Sequence, residues 1–545
     1  MQSPDSLLNV LDYLVIAAYL IGTVVLGLKI GAKVSGGADF FLAGRQLPWW
    51  AIGMSLVATD IGGTDIIGAG GAAYRHGLAV ANFEWIGCIP AMILAAFVFI
   101  PWFYRAGVST IPEFIELRYG LPPRIILACC WLIFMACNLG IMLLASARLM
   151  SSMLGWDPQM CILVTAGLVG IYTYAGGLAA VVYTDVLQCI VMIAGCLLVL
   201  AVGMAKVGGI SGLQAAIEQA EQRRAAVTQQ TTEASSTPPA PVSSATSATS
   251  AGWPDAAASR MSLILPADTP TPFPWPGILF GLAMILSPAY WIGNQAIVQR
   301  SLGARSEFEA QASYVWGAVL KNIIPLIVAI PGLIAFALIP DLPDGDTAIP
   351  RLVTEVLPAG ARGIFIAAFL AALMSSVDSY VNSAAALLCK DLYQRLLRPA
   401  ATDEQLLRIG RIATVLLVLW AILFAEILMR IDQGSGIYVI FQTLMSFFQG
   451  PAFAILLLGI LWKRATAFAA TVGLLSGIST AISLFALNQP AVCSLLQIRP
   501  LFRISDPFLY FSIWAFIVTV LVMVAVSLLS KPTQTMALKR HGIVP

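Results

Sequence analysis

The feature that most constrains this chain is a repetition. Apolar runs of about 20 residues, long enough to cross the ~30 Å hydrocarbon core of a bilayer as helices, recur along almost its whole length. They lie near 8–30, 47–73, 81–104, 122–152, 159–177, 180–205, 274–299, 311–338, 348–392, 406–428, 435–462, 466–487 and 506–529, thirteen in all. The 348–392 run is long enough to project beyond the membrane. The first run lacks an A-x-A-like cleavage site and exceeds a signal-peptide core, so it counts as a helix. A composition of 59% hydrophobic and 11% charged residues, with a mean hydropathy of +0.87, lies outside the range of soluble globular proteins. The expectation is an all-α integral membrane protein with about thirteen transmembrane helices.

Five acids sit within or at the edge of those runs: Asp60, Asp65, Glu84, Asp185 and Asp378. Lys321 is the only central base. A charge near the bilayer centre costs roughly 2.5–3.5 kcal/mol even on insertion scales, so such residues face a cavity or a partner. Five carboxylates against one ammonium leave a deficit that a small cation would fill. The pattern points to a cation-coupled membrane transporter.

Basic residues crowd alternate loops: Lys29, Lys33 and Arg45; Arg105, Arg118 and Arg124; Arg300 and Arg305; Lys390, Arg395, Arg398, Arg408 and Arg411; Lys463 and Arg464; Lys531, Lys539 and Arg540. By the positive-inside rule the N-terminus is outside and the C-terminus cytoplasmic. Thirteen spans satisfy that arrangement, which fits a multi-pass protein of the plasma membrane. The nine cysteines fall mostly in apolar runs, where Cys serves as a small hydrophobe; Cys493 lies in an outer loop without an evident partner. His76, in a loop, and His541, in the tail, offer no His-based metal or acid–base site. The absence of a Walker-type phosphate loop argues against an ATP-driven pump, and no nucleophile–base pair or metal cluster suggests an enzyme. Nothing points to nucleic acid or to an obligatory protein partner.

One stretch is not membrane. Residues 221–272 are rich in Ser, Thr, Ala and Pro and cannot bury a core, so 206–273 is expected as a flexible extracellular loop. It separates a first five-helix unit, 47–205, from a second, 274–463. An extra helix and loop occupy 1–46, two further helices 464–530, and a cytoplasmic tail 531–545. Five is odd, so the second unit inserts upside down relative to the first. Inverted repeats place a substrate at the midplane between helices that break partway. The first helix of each unit carries breakers: Gly62-Gly63, Gly68, Gly70 and Gly71 in one, Ser287-Pro288 and Gly293 in the other. Proline removes a donor and glycine weakens the helix, which frees carbonyls to face an ion. On the ninth span Ala368, Ala371, Ala372, Ser375, Asp378, Ser379 and Asn382 recur at helical spacing and form one small, oxygen-rich face. Hydroxyl and carboxylate oxygens suit a hard cation; Ser and Asn also join membrane helices by hydrogen bonds.

FFLAGRQLPWW, SLVATDIGG, NFEW, TIPEFIELRYG, YAGGLAAVVYTDVLQ, IVQRSL, AALMSS…NSAA…KDLY and LGILWKR follow one another from about residue 40 to 465. In that order they resemble the sodium:solute symporter family, and the substrate positions resemble its sodium/glucose cotransporter branch. The resemblance implies an inverted repeat of five plus five helices with broken first helices, one helix before them and two after. It implies a sodium site built from backbone oxygens of Ala58, Ile61 and Ala372 and the hydroxyls of Ser375 and Ser376. It implies a second sodium near Asp185 and Asp378, although Asp378 stands where members with two sodium ions have a hydroxyl residue, which leaves a proton as the alternative. It implies a sugar pocket at Glu84, Ser287, Tyr290, Trp291, Lys321 and Gln442, whose acceptors, donors and aromatic faces suit a polyol.

Asp60 and Asp65 depart from that branch and join the pocket as substrate contacts that favour a hydroxyl-rich or amine-bearing solute. Arg148, near the outer end of the fourth span, also departs from it. The expected function is sodium-coupled import of a small polar solute, a sugar or polyol, with sodium as the co-transported ion. The rivals are a proton- or sodium-coupled carrier of an amine, amino acid or organic acid, and a solute sensor that does not transport.

Overall fold

The computed structural model describes residues 8–32, 36–234, 260–269, 271–431, 437–502 and 507–530. The 531–545 tail and most of the Ser/Thr/Ala/Pro-rich stretch therefore lie outside the described residues, as does His541.

Among the described residues every regular element is a helix. In chain order, α1 (Val10–Gly31) is followed by α2 (Trp49–Asp60), α3 (64–76) and α4 (Leu78–Ala106). The short α5 (Ile111–Tyr119) leads to α6 (Leu121–Leu154), α7 (Pro158–Ile171) and α8 (Gly177–Val207). After α9 (Gly209–Ala234) come α10 (Gly277–Gly293), α11 (Gln295–Leu302) and α12 (Glu307–Leu338). The short helix α13 (Ala348–Val356) precedes α14 (Ala361–Leu397), α15 (Asp403–Arg430), α16 (Tyr438–Ser446) and α17 (Gln449–Leu461). Finally, α18 (Ala467–Asn488) and α19 (Phe508–Leu529) pack against each other. Nine of these helices are long and apolar enough to cross a membrane, eleven if each of two bent pairs counts as one span. The α7 segment is apolar but shorter, and α2 with α3 forms a broken helix.

Burial orders these helices. The most apolar stretch of α1 is 17% buried and that of α14 is 94% buried, so α1 faces lipid and α14 is the axis of the bundle. The axis packs along α8, with α6, α1 and α2 around it. Its small face explains the closeness: a Cβ on Gly195 of α8 would lie 2.3 Å from the Cβ of Ala368. At Gly177, where α7 turns into α8, φ is +54°. A side chain there would also meet the Phe40 carbonyl oxygen at 2.6 Å, so only glycine fits.

The expected irregular loop at 206–273 begins instead with a helix. The sequence of α9 is rich in Ala, Gln, Glu and Arg, all good helix formers. Its buried Leu213, Ile217 and Ala220 share one face, which packs on the second half of α12. Beyond the undescribed stretch, Arg260 pairs with Glu221 and lies over the Phe336 ring at 3.9 Å. Among the described residues all nine cysteines are free.

Candidate functional site

Both unit-opening helices are broken, as expected, but not by the same device. In the first, Ile61 leaves helical geometry (φ −88°, ψ 87°), and Gly62-Gly63 separate α2 from α3. A Cβ on Gly62 would lie 2.7 Å from the Ser376 hydroxyl, and one on Gly63 would lie 3.1 Å from the Phe369 ring. The glycines thus permit the break and the approach of α14 together. In the second, the break falls at Asn294, directly after the expected breaker Gly293, and not at Ser287-Pro288. Pro288 lies inside α10, directly after its π-helical stretch Gly277–Leu286, and the helix runs on through it to Gly293. Asn294 is extended (ψ 117°), its side chain caps α11 by accepting from the Ala296 N–H at 2.9 Å, and the chain turns by 51°.

The groups expected to hold sodium converge at the first break. The Ser375 hydroxyl donates to the Ala58 carbonyl at 2.7 Å and to Ala372 at 2.9 Å. Ser376 donates to the Thr59 carbonyl at 2.9 Å and to Ala372 at 3.1 Å. Both serines are fully buried. These are neutral oxygens gathered where α2 ends, the donor set a hard monovalent cation takes. Ile61, at the end of α2, directs its carbonyl away from the helical ladder.

Next to this cluster, the charge inventory read from the sequence needs correction. Arg300 is not in a loop: it is fully buried on α11, so Lys321 is not the only central base. The Arg300 guanidinium lies 3.3 Å from the Asp185 carboxylate and donates to the Ser55 hydroxyl at 2.6 Å and to Ser379. Asp185 also accepts from Ser55 at 2.5 Å and from Thr59 at 3.4 Å. Thr59 contacts Ser379 at 3.0 Å, and Ser379 donates to Asp378 at 3.0 Å. Asp185 and Asp378, the residues expected around a second sodium, thus belong to one buried chain that already holds a guanidinium.

The substrate candidates share a cavity that encloses about 480 Å³, part of it open to solvent. Asp60, Asp65, Glu84, Ser287, Tyr290, Trp291 and Gln442 all line it. Lys321 lies behind the wall, fully buried. Its ammonium donates to Asp60 and, at 2.6 Å, to Glu84, and stands 5.6 Å from the Trp291 ring centre. Lys321 ends the first half of α12, where the final carbonyls favour a cation. Asp65 accepts from the Gly62 N–H at 2.9 Å and from Thr64 at 3.4 Å. Beneath the aromatic wall Tyr290 meets Tyr380 at 3.3 Å, and Tyr314 donates to the Trp291 carbonyl at 2.7 Å. Asp60, Glu84 and Cys88 place ligand atoms within 4.8 Å of one another, but the Lys321 ammonium is the cation between the two carboxylates. Replacing Gln442 with alanine is expected to raise the apparent half-saturation for solute roughly tenfold, the loss of one buried hydrogen bond, at unchanged maximal uptake. Uptake kinetics with an unchanged half-saturation would remove Gln442 from the pocket.

Arg148 is explained by neighbours that the sequence did not suggest. It reaches Asp346 at 2.8 Å and Asp344 at 3.9 Å, and Arg75 reaches Asp344 at 2.6 Å. It therefore closes one end of the bundle and does not line the pocket. The opposite end is tied by Arg124 and Arg395 to Glu116 and by Arg124 to Asp391. Partial burial pushes the Glu116 carboxyl up, but the two guanidiniums outweigh it and hold it below the usual glutamate range. The sequence reading also missed Phe83, Tyr438, Phe441 and Gln449, which line the pocket together with Cys88, Leu282, Leu286 and Met445. Gln449 carried a readable signal, a second glutamine seven residues after Gln442, hidden by the 43° bend between α16 and α17.

Comparison with known proteins agrees with this geometry. The profile of the sodium:solute symporter family matches residues 40–477. A sodium/glucose cotransporter 4 of Danio rerio is 32% identical, with 96% of this chain and 80% of that protein aligned. A sodium/myo-inositol cotransporter 2 of Oryctolagus cuniculus is 33% identical over 96% of this chain and 77% of its own length. A sodium/glucose cotransporter of Vibrio parahaemolyticus is 31% identical over 88% of this chain and 85% of its own length. Among solved structures, the substrate-bound outward-open state of a Na+-coupled sialic acid symporter superposes with a TM-score of 0.77 at 21% identity, covering 97% of this chain and 100% of that one. A nucleobase-cation-symport-1 family transporter in a closed conformation superposes with a TM-score of 0.54 at 12% identity, covering 94% and 99%.

Proposed function

The chain belongs to the sodium:solute symporter family, and from that premise we propose that it imports a sugar or polyol. It is a multi-pass membrane transporter with sodium as its co-transported ion. The observation that carries the solute assignment is the pocket itself. Glu84 and Asp60 present carboxylate oxygens to hydroxyls, Gln442 offers both a donor and an acceptor, and Trp291 and Tyr290 supply apolar ring faces. The relatives named for glucose and myo-inositol support the same reading.

In this mechanism sodium binds where α2 breaks against α14, through the carbonyls of Ala58, Ile61 and Ala372 and the hydroxyls of Ser375 and Ser376. Its charge holds the end of α2 and the axis helix in one arrangement, which completes the adjacent pocket wall at Asp60. Solute then bridges that wall to α16. Coupling follows only because each ligand binds one of two arrangements better than the other. The N-terminus lies outside, the C-terminus is cytoplasmic, and the host is the plasma membrane, an orientation supported by the basic residues of alternate loops.

The test is uptake of a panel of sugars, polyols, amines and organic acids into proteoliposomes, driven by an inward sodium gradient or with potassium in its place. Sodium-dependent accumulation of a sugar or polyol is expected. Accumulation of only an amine or an acid would discard the sugar pocket and keep the ion site. Ser376→Ala is expected to raise the sodium concentration for half-activation roughly tenfold or more, as one hydroxyl ligand to a charged group is lost. Unchanged sodium activation in that variant would remove the serine from the ion site.

A further inference from the structure

The bundle carries a second recess, with no lining residue in common with the pocket, between the α7–α8 junction and the first turns of α15. Its volume is about 650 Å³, part of it open to solvent, and it is lined by Tyr174, Glu404, Leu407, Arg408, Arg411 and Ile412. The five residues from α15 recur at i, i+3, i+4, i+7 and i+8, so they form one face of that helix. Tyr174 closes the recess from the opposite side, with its ring centre 5.4 Å from the Arg411 guanidinium carbon.

The charge of this recess is unbalanced. Among the described residues neither Arg408 nor Arg411 makes an ion pair, and Glu404 is the single acid in the lining. Among the described residues the Nε of Arg411 has no hydrogen-bond partner and is buried. A buried charged donor left unsatisfied costs more than a neutral one, so an anion received in this recess would be favoured. Arginines at a helix end commonly snorkel to the interface as single side chains. Here two of them share one recess with an aromatic ring.

The surroundings choose the anion. From the recess, an exposed apolar stripe runs on along the same helix through Ile412, Leu416, Leu419 and Leu423, each 49–60% exposed. Ile171, just before Tyr174 on the facing helix, is 58% exposed. An acyl chain laid along this stripe would bring a headgroup to the arginines, and a soluble anion would leave the stripe unused. Basic pockets between membrane helices at the interface take anionic headgroups in this way.

We propose that this recess binds the phosphate of an anionic phospholipid, with Arg408 and Arg411 as its cations and the α15 stripe as its acyl groove. The test is native mass spectrometry of the delipidated full chain in detergent, titrated with dioleoyl phosphatidylglycerol, dioleoyl phosphatidylcholine or inorganic phosphate. Phosphatidylglycerol is expected to bind more tightly than phosphatidylcholine. Arg408→Gln, at an exposed position, is expected to weaken phosphatidylglycerol about fivefold, and Arg408→Gln with Arg411→Gln about 25-fold, from the contribution of a basic residue near an anionic surface. Phosphatidylcholine binding is expected to stay unchanged in both variants. Equal retention of the two lipids by the unaltered chain would overturn the proposal, as would phosphatidylglycerol binding that neither variant weakens. Displacement of phosphatidylglycerol by millimolar inorganic phosphate would also overturn it and would reassign the recess to a soluble anion.

Discussion

Lys321→Gln is expected to cost about 3–5 kcal/mol of stability and to abolish solute uptake, because removing one partner leaves buried charges unpaired. The ammonium is fully buried and is shared by Asp60 and Glu84, which come from different helices. Without it two carboxylates face one another beside an apolar ring, and among the described residues no base lines the cavity. Thermal unfolding of the purified protein and uptake in proteoliposomes check the two halves of the expectation. Adding Asp60→Asn to Lys321→Gln removes one of the stranded charges and is expected to restore part of the stability without restoring uptake. A Lys321→Gln protein as stable as the unaltered chain would mean that the cavity does not depend on this ion pair.

Arg300→Gln is the second large effect, with a similar cost of about 3–5 kcal/mol from a stranded Asp185. Its signature differs. Arg300 sits on α11, beyond the break of the second unit, and holds Ser55 on α2, Asp185 on α8 and Ser379 on α14. That chain of contacts runs through Thr59 to the helix end where sodium is proposed to bind. Loss of the guanidinium is therefore expected to shift sodium half-activation as well as stability. Arg300→Lys is expected to rescue only in part, since a lysine cannot reproduce the fork that reaches several acceptors at once. Native stability together with an unchanged sodium curve in Arg300→Gln would show that the network is dispensable to both.

Of the two proposed sites, the ion site was the more legible, and its residues explain why. Helical spacing alone placed Ser375 on one oxygen-rich face, Ser376 came with the family resemblance, and the structure turns both against α2. The pocket draws on α2, α3, α4, α10, α16 and α17, and helical spacing says nothing about residues on different helices. Phe83 and Tyr438 stand 5.4 Å apart as rings although 355 positions separate them. The partners of Arg148 were hidden for the same reason, since Asp344 and Asp346 belong to a loop nearly two hundred residues away. Arg300 was misplaced by a different rule. The IVQRSL segment resembles a basic loop between spans, yet the 51° turn at Asn294 carries it back into the protein, where acid and hydroxyl partners offset its burial.

The sequence by itself determined the membrane class, the helical architecture, the two broken helices and the family. Each of these depends on local rules: the length of an apolar run, the period of a helix, and the backbone freedom of Gly62 and Gly63. The tertiary structure alone decided which charges neutralise one another, which of the expected breakers ends the second helix, and that α9 packs as a helix where an irregular loop was expected. Those outcomes depend on distances between segments far apart in the chain. In a low-dielectric interior, an ångström of separation decides whether a carboxylate is paired with a lysine or left to bind a cation.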